Sequence, residues 1–405
     1  MPVLTIFNGL FCHAEAVVRD VIDSTGYRLI TDEDIIARAV QQFDLPENKI
    51  RRAFSAKTSV FNKFTREKEC AIACLRMAMA QLLGNTPAIV HGFGGLLIPQ
   101  TVSHRLRVCL IAEMPYRIRQ AASEEGLSEK EALKRIRNDD ANRAAWTDTL
   151  FATPDPWHTD LYDMVLPMNK TQVPQASALI EENLVKEAVR RTADSDAAER
   201  DFLLAATVEV ELAKAGHDVS VHAKAGAVTL TINKQVLLLA RLEEELQAIA
   251  GQIPGVNAVE TKVGQDFHES HIYRKHNFEV PSRVLLVDDE REFVQTLSER
   301  LQMREMGSVV AYDGESALSL VNEDDPEVMI IDLKMPGIDG IEILKKVKQI
   351  RPAIEVIVLT GHGCEEDRKR CMQLGAFAYL QKPVNIDLLS ETLKKAHARI
   401  QKDQA

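Results

Sequence analysis

Val328-Met-Ile-Ile-Asp-Leu-Lys-Met-Pro-Gly-Ile-Asp-Gly340 opens on four apolar residues and breaks at a carboxylate, Asp332. A run that is apolar at every position, and not at every second one, marks a strand buried on both faces, as in a parallel sheet. Three further segments follow the same plan. Arg283-Val-Leu-Leu-Val287 runs into Asp288-Asp289-Glu290, Val356-Ile-Val-Leu359 into Thr360-Gly361, and Ala378-Tyr-Leu380 into Gln381-Lys382-Pro383. Helical patterns separate all four. The alternation predicts a doubly wound α/β domain over residues 281–405. Residues just past the C-terminal strand ends of such a sheet converge on one rim, where ligands bind. Asp288, Asp289, Asp332, Thr360 and Lys382 are therefore expected at one site.

The set makes chemical sense. Clustered carboxylates repel one another unless a divalent cation compensates them, and oxygen ligands with open positions suit Mg2+. A carboxylate can act as a nucleophile and form an aspartyl phosphate. A lysine, a hydroxyl and the metal would then neutralise the transferring phosphoryl group.

The segment resembles a response-regulator receiver domain. The resemblance rests on Val287-Asp-Asp-Glu290, Asp332 to Gly340, Leu359-Thr-Gly361, Gly375-Ala-Phe-Ala-Tyr379 and Lys382-Pro383. It implies a flavodoxin-like, doubly wound (βα)5 fold over residues 281–405, with Asp332 as phosphoacceptor. It implies Mg2+ on Asp288, Asp289, Asp332 and the Lys334 backbone carbonyl, with phosphoryl contacts from Thr360 and Lys382. Tyr379 would be an aromatic switch moving with Thr360, and the Lys382–Pro383 bond would be cis. Phosphorylation adds about −1.5 to −2 charges and three acceptor oxygens, which draws Thr360 inward and vacates space for the Tyr379 ring. A sensor histidine kinase or a phosphotransfer protein is the implied partner, and homodimers through the receiver are in keeping with the family.

The whole chain has 405 residues. At about 100–200 residues per domain that predicts two to four domains. The net charge is −11 with both signs mixed along the chain, so no global field attracts nucleic acid or an anionic membrane. No helix-turn-helix pattern or basic stripe follows the receiver, and DNA binding is not expected. The start, Met1-Pro-Val-Leu-Thr-Ile-Phe-Asn-Gly9, lacks a basic n-region and a long apolar run, so it reads as a first strand. No stretch approaches the ~20 apolar residues of a membrane span. A cytoplasmic protein without membrane contact is expected. Six cysteines in a chain of this size are not a disulfide framework. Cys70 and Cys74 share a helix face and read as packing thiols.

Residues 1–195 alternate strands (Val3–Phe7, Ala88–His91, Leu106–Ala112, Met164–Leu166) with helices near Ala14–Ile22, Asp32–Phe43, Glu67–Leu83, Pro115–Glu125, Glu129–Ala145 and Ser177–Arg191. That is an α/β domain with a mainly parallel sheet. A strand, turn and helix at the start invite a phosphate-binding loop, which needs a Gly-rich turn and usually a lysine. Ile6-Phe-Asn-Gly-Leu-Phe-Cys-His-Ala-Glu15 has one glycine, Gly9, and no lysine. The later motifs resemble the cytidylate kinase-like group of P-loop nucleoside monophosphate kinases: Val90-His-Gly-Phe-Gly-Gly95, the stretch Arg107–Glu125, Gly126 to Arg143, and Leu161-Tyr-Asp-Met-Val165. The resemblance implies that Arg117, Arg135, Arg137 and Arg143 close over nucleotide phosphates. Two departures count against catalysis. The first loop is replaced, and Phe93 stands where the family usually has an arginine. A catalytically inert, kinase-shaped interaction domain is expected. The alternative is a receiver-regulated nucleoside monophosphate kinase using ATP and CMP. Cys12, His13 and His91 read as loop residues.

Residues 200–266 resemble a BON domain through Val219-Ser-Val-His-Ala-Lys-Ala-Gly-Ala-Val-Thr-Leu-Thr-Ile232 and Ile253-Pro-Gly-Val-Asn-Ala-Val-Glu260. Gly226 is placed for a hairpin turn. The resemblance implies a small α/β contact module with no catalytic role. Arg191–Arg200 is polar and reads as a linker or as the start of the next helix. Residues 266–281 read as a second linker.

Overall fold

The computed structural model describes residues 2–404 apart from Asp44, Asn85, Gln235, Leu237, 265–279 and 362–363. The chain divides into two compact units. One holds Met1–Thr58 and Glu67–Arg274, and the other Ser59–Arg66 and Lys275–Ala405.

The first unit is built on a parallel sheet of β1 (Val3–Asn8), β2 (Arg28–Thr31), β3 (Ala88–His91), β4 (Arg105–Ile111) and β5 (Met164–Pro167), in the order β2-β3-β1-β4-β5. The central strand β1 is buried throughout except at Asn8. Alternation then feeds two cores. Leu4 and Ile6 join Val17, Val21 and Ile180 from the helices Ala14–Thr25 and Val173–Leu184. Val3 and Phe7 join Leu75, Met79 and Trp146 from Glu67–Leu83 and Glu129–Phe151. The latter helix outruns its expected end at Ala145, because Trp146 is fully buried and its Nε1 donates to the Phe93 carbonyl at 3.0 Å. The helix expected over Ser177–Arg191 instead spans Val173–Leu184. Pro174, which favours a first turn, starts it early. Val185, 84% exposed, follows its last buried residue. Strand β2 was not foreseen. It lies at the sheet edge, and of its four residues only Ile30 is buried.

The stretch Arg191–Arg200 is the start of a helix. Ala193–Lys214 begins on a capping box between Thr192 and Ser195. It leads into β6 (Ser220–Lys224), β7 (Ala227–Ile232), the helix Leu239–Ala250 and β8 (Ala258–Val263). Strands β6 and β7 form an antiparallel hairpin, and β8 pairs parallel to β7. Ala225 and Gly226, both at positive φ, make the two-residue turn, as a hairpin of matching twist requires. The expected boundary at residues 195–200 thus falls inside a helix, and both segments belong to one unit.

The second unit carries β9 (Val284–Val287), β10 (Ser308–Ala311), β11 (Val328–Ile331), β12 (Glu355–Thr360) and β13 (Ala378–Gln381). All are parallel, in the order β10-β9-β11-β12-β13. The helices Arg291–Gln302, Gly314–Asp324, Gly340–Ile350, Glu365–Gln373 and Ile386–Gln404 complete a doubly wound fold. Strand β10, at the edge, was not read from the sequence. Ser59–Arg66 also belongs here. Phe61 is 0% exposed in the same core cluster as Leu285, Val321 and Met329. The Val60 N–H reaches Asp324 Oδ1 at 3.3 Å. Phe64 lies so close to Gly307 that a Cβ there would stand 2.6 Å from the Phe64 Cβ.

Candidate functional site

The parallel register of the second sheet assembles a site from four strand ends. Ile331 pairs with Val287 on one side and Val358 on the other. Asp332 and Asp288 therefore sit side by side, one residue past their strands, and Thr360 ends the neighbouring strand. The Asp332 N–H donates to the Val287 carbonyl at 3.0 Å, and the Lys382 N–H to the Thr360 carbonyl at 3.0 Å. The Lys382 ammonium lies 2.7 Å from Asp288 Oδ2, 3.0 Å from Asp332 Oδ2 and 3.0 Å from Glu290 Oε1. The other Asp332 oxygen, Oδ1, accepts the Leu333 N–H at 2.6 Å, and the Lys334 N–H is 3.4 Å away. Gly340 permits this loop, since a Cβ on it would stand 2.2 Å from the Asp332 carbonyl oxygen. The Lys382–Pro383 bond is cis.

Asp288 and Asp332 are buried, whereas Asp289 is exposed. Oxygens of Asp288, Glu290 and Asp332 lie within 4.8 Å of one another. Asp289 is outside that group, and Glu290 contributes the third carboxylate. Glu290 ends the Asp288-Asp289-Glu290 turn, and its N–H donates to Asp288 Oδ1 at 2.9 Å, which folds the turn back over the rim. An oxygen-only cluster of this size fits a hard divalent cation such as Mg2+. Burial pushes the Asp288 pKa up, with Lys382 pulling the other way. Burial would lower the Lys382 pKa, but its hydrogen bonds to Asp288, Glu290 and Asp332 outweigh that and hold it above the ordinary lysine range. Thr360 is buried at the rim. The Tyr379 hydroxyl is buried without a hydrogen-bond partner among the described residues. Burial, followed by the nearby Asp367 charge, raises its pKa.

In the first unit, the turn after β1 is filled from within. The Arg117 guanidinium, 2% exposed, makes two hydrogen bonds to Asp140 at 2.9 and 2.7 Å and one from Nε to the Leu10 carbonyl at 2.9 Å. A Cβ on Gly9 would lie 3.0 Å from its Cζ. Phe11 and His13 hold positive φ, conformations that side chains adopt at a cost. A cavity of about 590 Å³ lies beside this turn, and Arg135 and Arg143 line it. Arg135 is ion-paired with Glu125, and Arg143 donates to Asp139 at 2.6 Å. Arg137, expected at the phosphates with them, is instead exposed and does not line that cavity. It is six residues from Arg143 on the same helix, so it points away from that face.

Asp32 was missed by sequence reasoning. Its carboxylate accepts the N–H groups of Phe93 and Gly94 at 2.9 and 2.8 Å. Burial pushes its pKa up to about 6, against those two hydrogen bonds and the Arg143 charge. It opens the helix Asp32–Gln42, where an acid is commonplace, so nothing in the sequence singled it out.

Residues 284–394 match the response regulator receiver domain family, and residues 3–170 match the cytidylate kinase-like family. Over 113 residues the chain is 34% identical to sporulation initiation phosphotransferase F of Bacillus subtilis, covering 28% of this chain and 91% of that protein. Over 104 residues it is 42% identical to the transcriptional regulatory protein CpxR of Escherichia coli, covering 26% of this chain and 44% of that protein. The chain thus spans less than half the length of the CpxR relative. Among solved structures, a response regulator receiver domain protein from Clostridium thermocellum is 34% identical, with 29% of this chain and 95% of that one covered and a TM-score of 0.28. Among the described residues, no helix is long and apolar enough to cross a membrane.

Proposed function

Since this chain belongs to the response-regulator family through its C-terminal receiver, we propose that it is a phosphorelay response regulator that accepts a phosphoryl group on Asp332. The observation that carries this is the contact of Lys382 with Asp288, Glu290 and Asp332 at one sheet rim. Asp288 and Asp332 would hold Mg2+, with Asp289, Glu290 and the Lys334 carbonyl around them. Bound there, Mg2+ would supply positive charge to the phosphoryl oxygens. An Asp332 carboxylate oxygen attacks phosphorus, and the bond to the donor's nitrogen or oxygen breaks. Lys382 then turns its ammonium to the phosphoryl oxygens, and Thr360 donates its hydroxyl. Tyr379 follows Thr360 inward and changes the surface beside β13. The donor is a sensor histidine kinase or a phosphotransfer protein, and the switched surface serves a partner or a second receiver.

Incubation of the full chain with acetyl phosphate and Mg2+, followed on phosphate-affinity gels, tests this. One phosphorylated band is expected, lost in Asp332→Ala and on chelation. Labelling that persists in Asp332→Ala would defeat the assignment.

Output lies with the first unit, read as an inert kinase-shaped domain joined to a BON-like module, both acting by contact. Five carboxylates and three guanidiniums line the 590 Å³ cavity, a balance that repels a nucleotide triphosphate. The second reading, a receiver-regulated cytidylate-like kinase, draws on the family match over residues 3–170. Calorimetric titration of the full chain with ATP and CMP separates the two. Micromolar binding of both would favour the kinase, and no heat would favour the adaptor.

A further inference from the structure

We propose that His104, Asp196 and Glu199, in the first unit, bind a divalent transition-metal ion of the Zn2+ class. His104 stands one residue before β4, and its carbonyl accepts the Val3 N–H at 2.9 Å, which fixes its backbone at the sheet rim. Its imidazole is 0% exposed, and neither ring nitrogen has a hydrogen-bond partner among the described residues. Burying a polar group without a partner is costly, so such groups call for an explanation. Two carboxylates face it from the helix Ala193–Lys214. Asp196 and Glu199 are three residues apart and share one face. Glu199 Oε2 lies 3.4 Å from His104 Nε2. One nitrogen and two oxygens, one from each residue, fall within 4.8 Å of one another.

The spacing suits coordination. Bonds of about 2.0–2.2 Å in tetrahedral geometry place neighbouring ligand atoms roughly 3.3–3.6 Å apart. His104 and Glu199 already stand at that separation. The Asp196 side chain is 37% exposed, so it has room to turn toward the same point, and water can take a fourth position. One imidazole with two carboxylates selects a borderline ion over Mg2+, which avoids nitrogen. Arg191 donates to both carboxylates, to Asp196 through Nε and to Glu199 Oε2 at 3.0 Å from Nη2. Its charge leaves the cluster at −1 with a neutral imidazole. It therefore aligns the ligands while weakening the site's pull on a cation. A plain ion pair between a protonated His104 and Glu199 would need no metal, and the experiment distinguishes the two.

The full chain carrying Asp288→Asn and Asp332→Asn, which remove the receiver's carboxylates from the count, is titrated with Zn2+ by calorimetry and with Co2+ by visible absorption. At least one equivalent of each ion is expected to bind, with Co2+ bands of low coordination number. Glu199→Gln and His104→Gln should each remove one equivalent. The affinity lost should exceed the roughly 10- to 100-fold that follows loss of a supporting residue. Arg191→Gln should tighten binding. Unchanged Zn2+ stoichiometry and affinity in both Glu199→Gln and His104→Gln would overturn the proposal, and so would a parent protein that binds neither ion.

Discussion

Replacing Phe61 with alanine tests whether the eight residues Ser59–Arg66 are part of the receiver's fold. Phe61 is fully buried in the core cluster that includes Leu285, Val321 and Met329, although more than two hundred positions separate it from them in sequence. Phe→Ala in a packed core costs about 3–5 kcal/mol, a large part of the roughly 5–15 kcal/mol that holds a domain folded. The loss belongs to the second unit alone. In hydrogen exchange on the full chain, amides of β9, β11 and the helix Gly314–Asp324 should exchange about 10²- to 10⁴-fold faster, while those of β1 and β4 keep their rates. Phe61→Leu, which keeps most of the volume, should cost less than half as much. Acceleration confined to β1–β5, or a change below about 1 kcal/mol in the receiver amides, would refute the reasoning. Gly307→Ala gives an independent handle, because its Cβ would meet the Ser282 carbonyl oxygen at 2.2 Å as well as Phe64. It should loosen the same amides.

Lys382→Met should slow phosphorylation by acetyl phosphate on the order of 100-fold, the typical loss when one donor to a developing charge is removed. Quench-flow with phosphate-affinity detection measures this. Gly340→Ala should lower both the labelling rate and the melting temperature of the receiver, since the new Cβ would press on the Asp332 carbonyl and the Leu333 backbone. Asp32 titrates near pH 6 in the folded chain and near its ordinary value of 3.8 when unfolded. A raised acid favours folding at low pH, so this group's contribution is full below about pH 4 and lost as pH rises through 6. At 1.36 kcal/mol per unit that amounts to about 3 kcal/mol. Urea unfolding at pH 4.5 to 7.5 should show this slope, and Asp32→Asn should flatten it. Glu327 has the opposite sign. The His397 imidazole, 3.3 Å away, and the Arg283 charge overcome burial and hold its pKa at about 2, so this group's contribution to receiver stability should be lost as pH drops from about 4.5 toward 2.

The receiver site was legible mainly because Asp288, Asp332 and Thr360 end or follow strands buried along their whole length, which read as apolar runs, whereas Lys382 follows the half-buried edge strand β13 and was marked by the Lys-Pro pair after it. Asp332, Asp288, Thr360 and Lys382 came together as that pattern demands. Glu290 was harder to foresee than Asp289, because it reaches the cluster through the folding of the turn and not through strand register. Strands β2 and β10 escaped notice for a shared reason. Both are four-residue edge strands with partly exposed residues, so neither carries the full apolar run. Ser59-Val-Phe-Asn-Lys-Phe-Thr-Arg66 is mostly polar and too short for periodicity, and its partners lie far along the chain. No local rule could assign it. The arginines of the first unit show a different limit. The family resemblance implied a grip on phosphate, but what an arginine does depends on the carboxylate it meets. Asp139 and Asp140 lie on the same helix, Glu129–Phe151, as Arg135 and Arg143.

Arg117 carries that point to a functional consequence. A phosphate cradle works by turning backbone N–H groups toward an anion. Here the first turn presents the Leu10 carbonyl to a cation instead, and Asp140 neutralises that cation with two hydrogen bonds. A buried pair of this kind is stabilising only while both partners remain, and removing one typically costs 3–5 kcal/mol. For a nucleotide phosphate to displace Asp140 it would have to match that pair and leave a carboxylate stranded beside new negative charge. The turn therefore completes itself without ligand. Arg117→Gln should therefore lower the melting temperature of the first unit, which calorimetric scanning of the full chain measures, and an unchanged transition would refute the structural role of the pair.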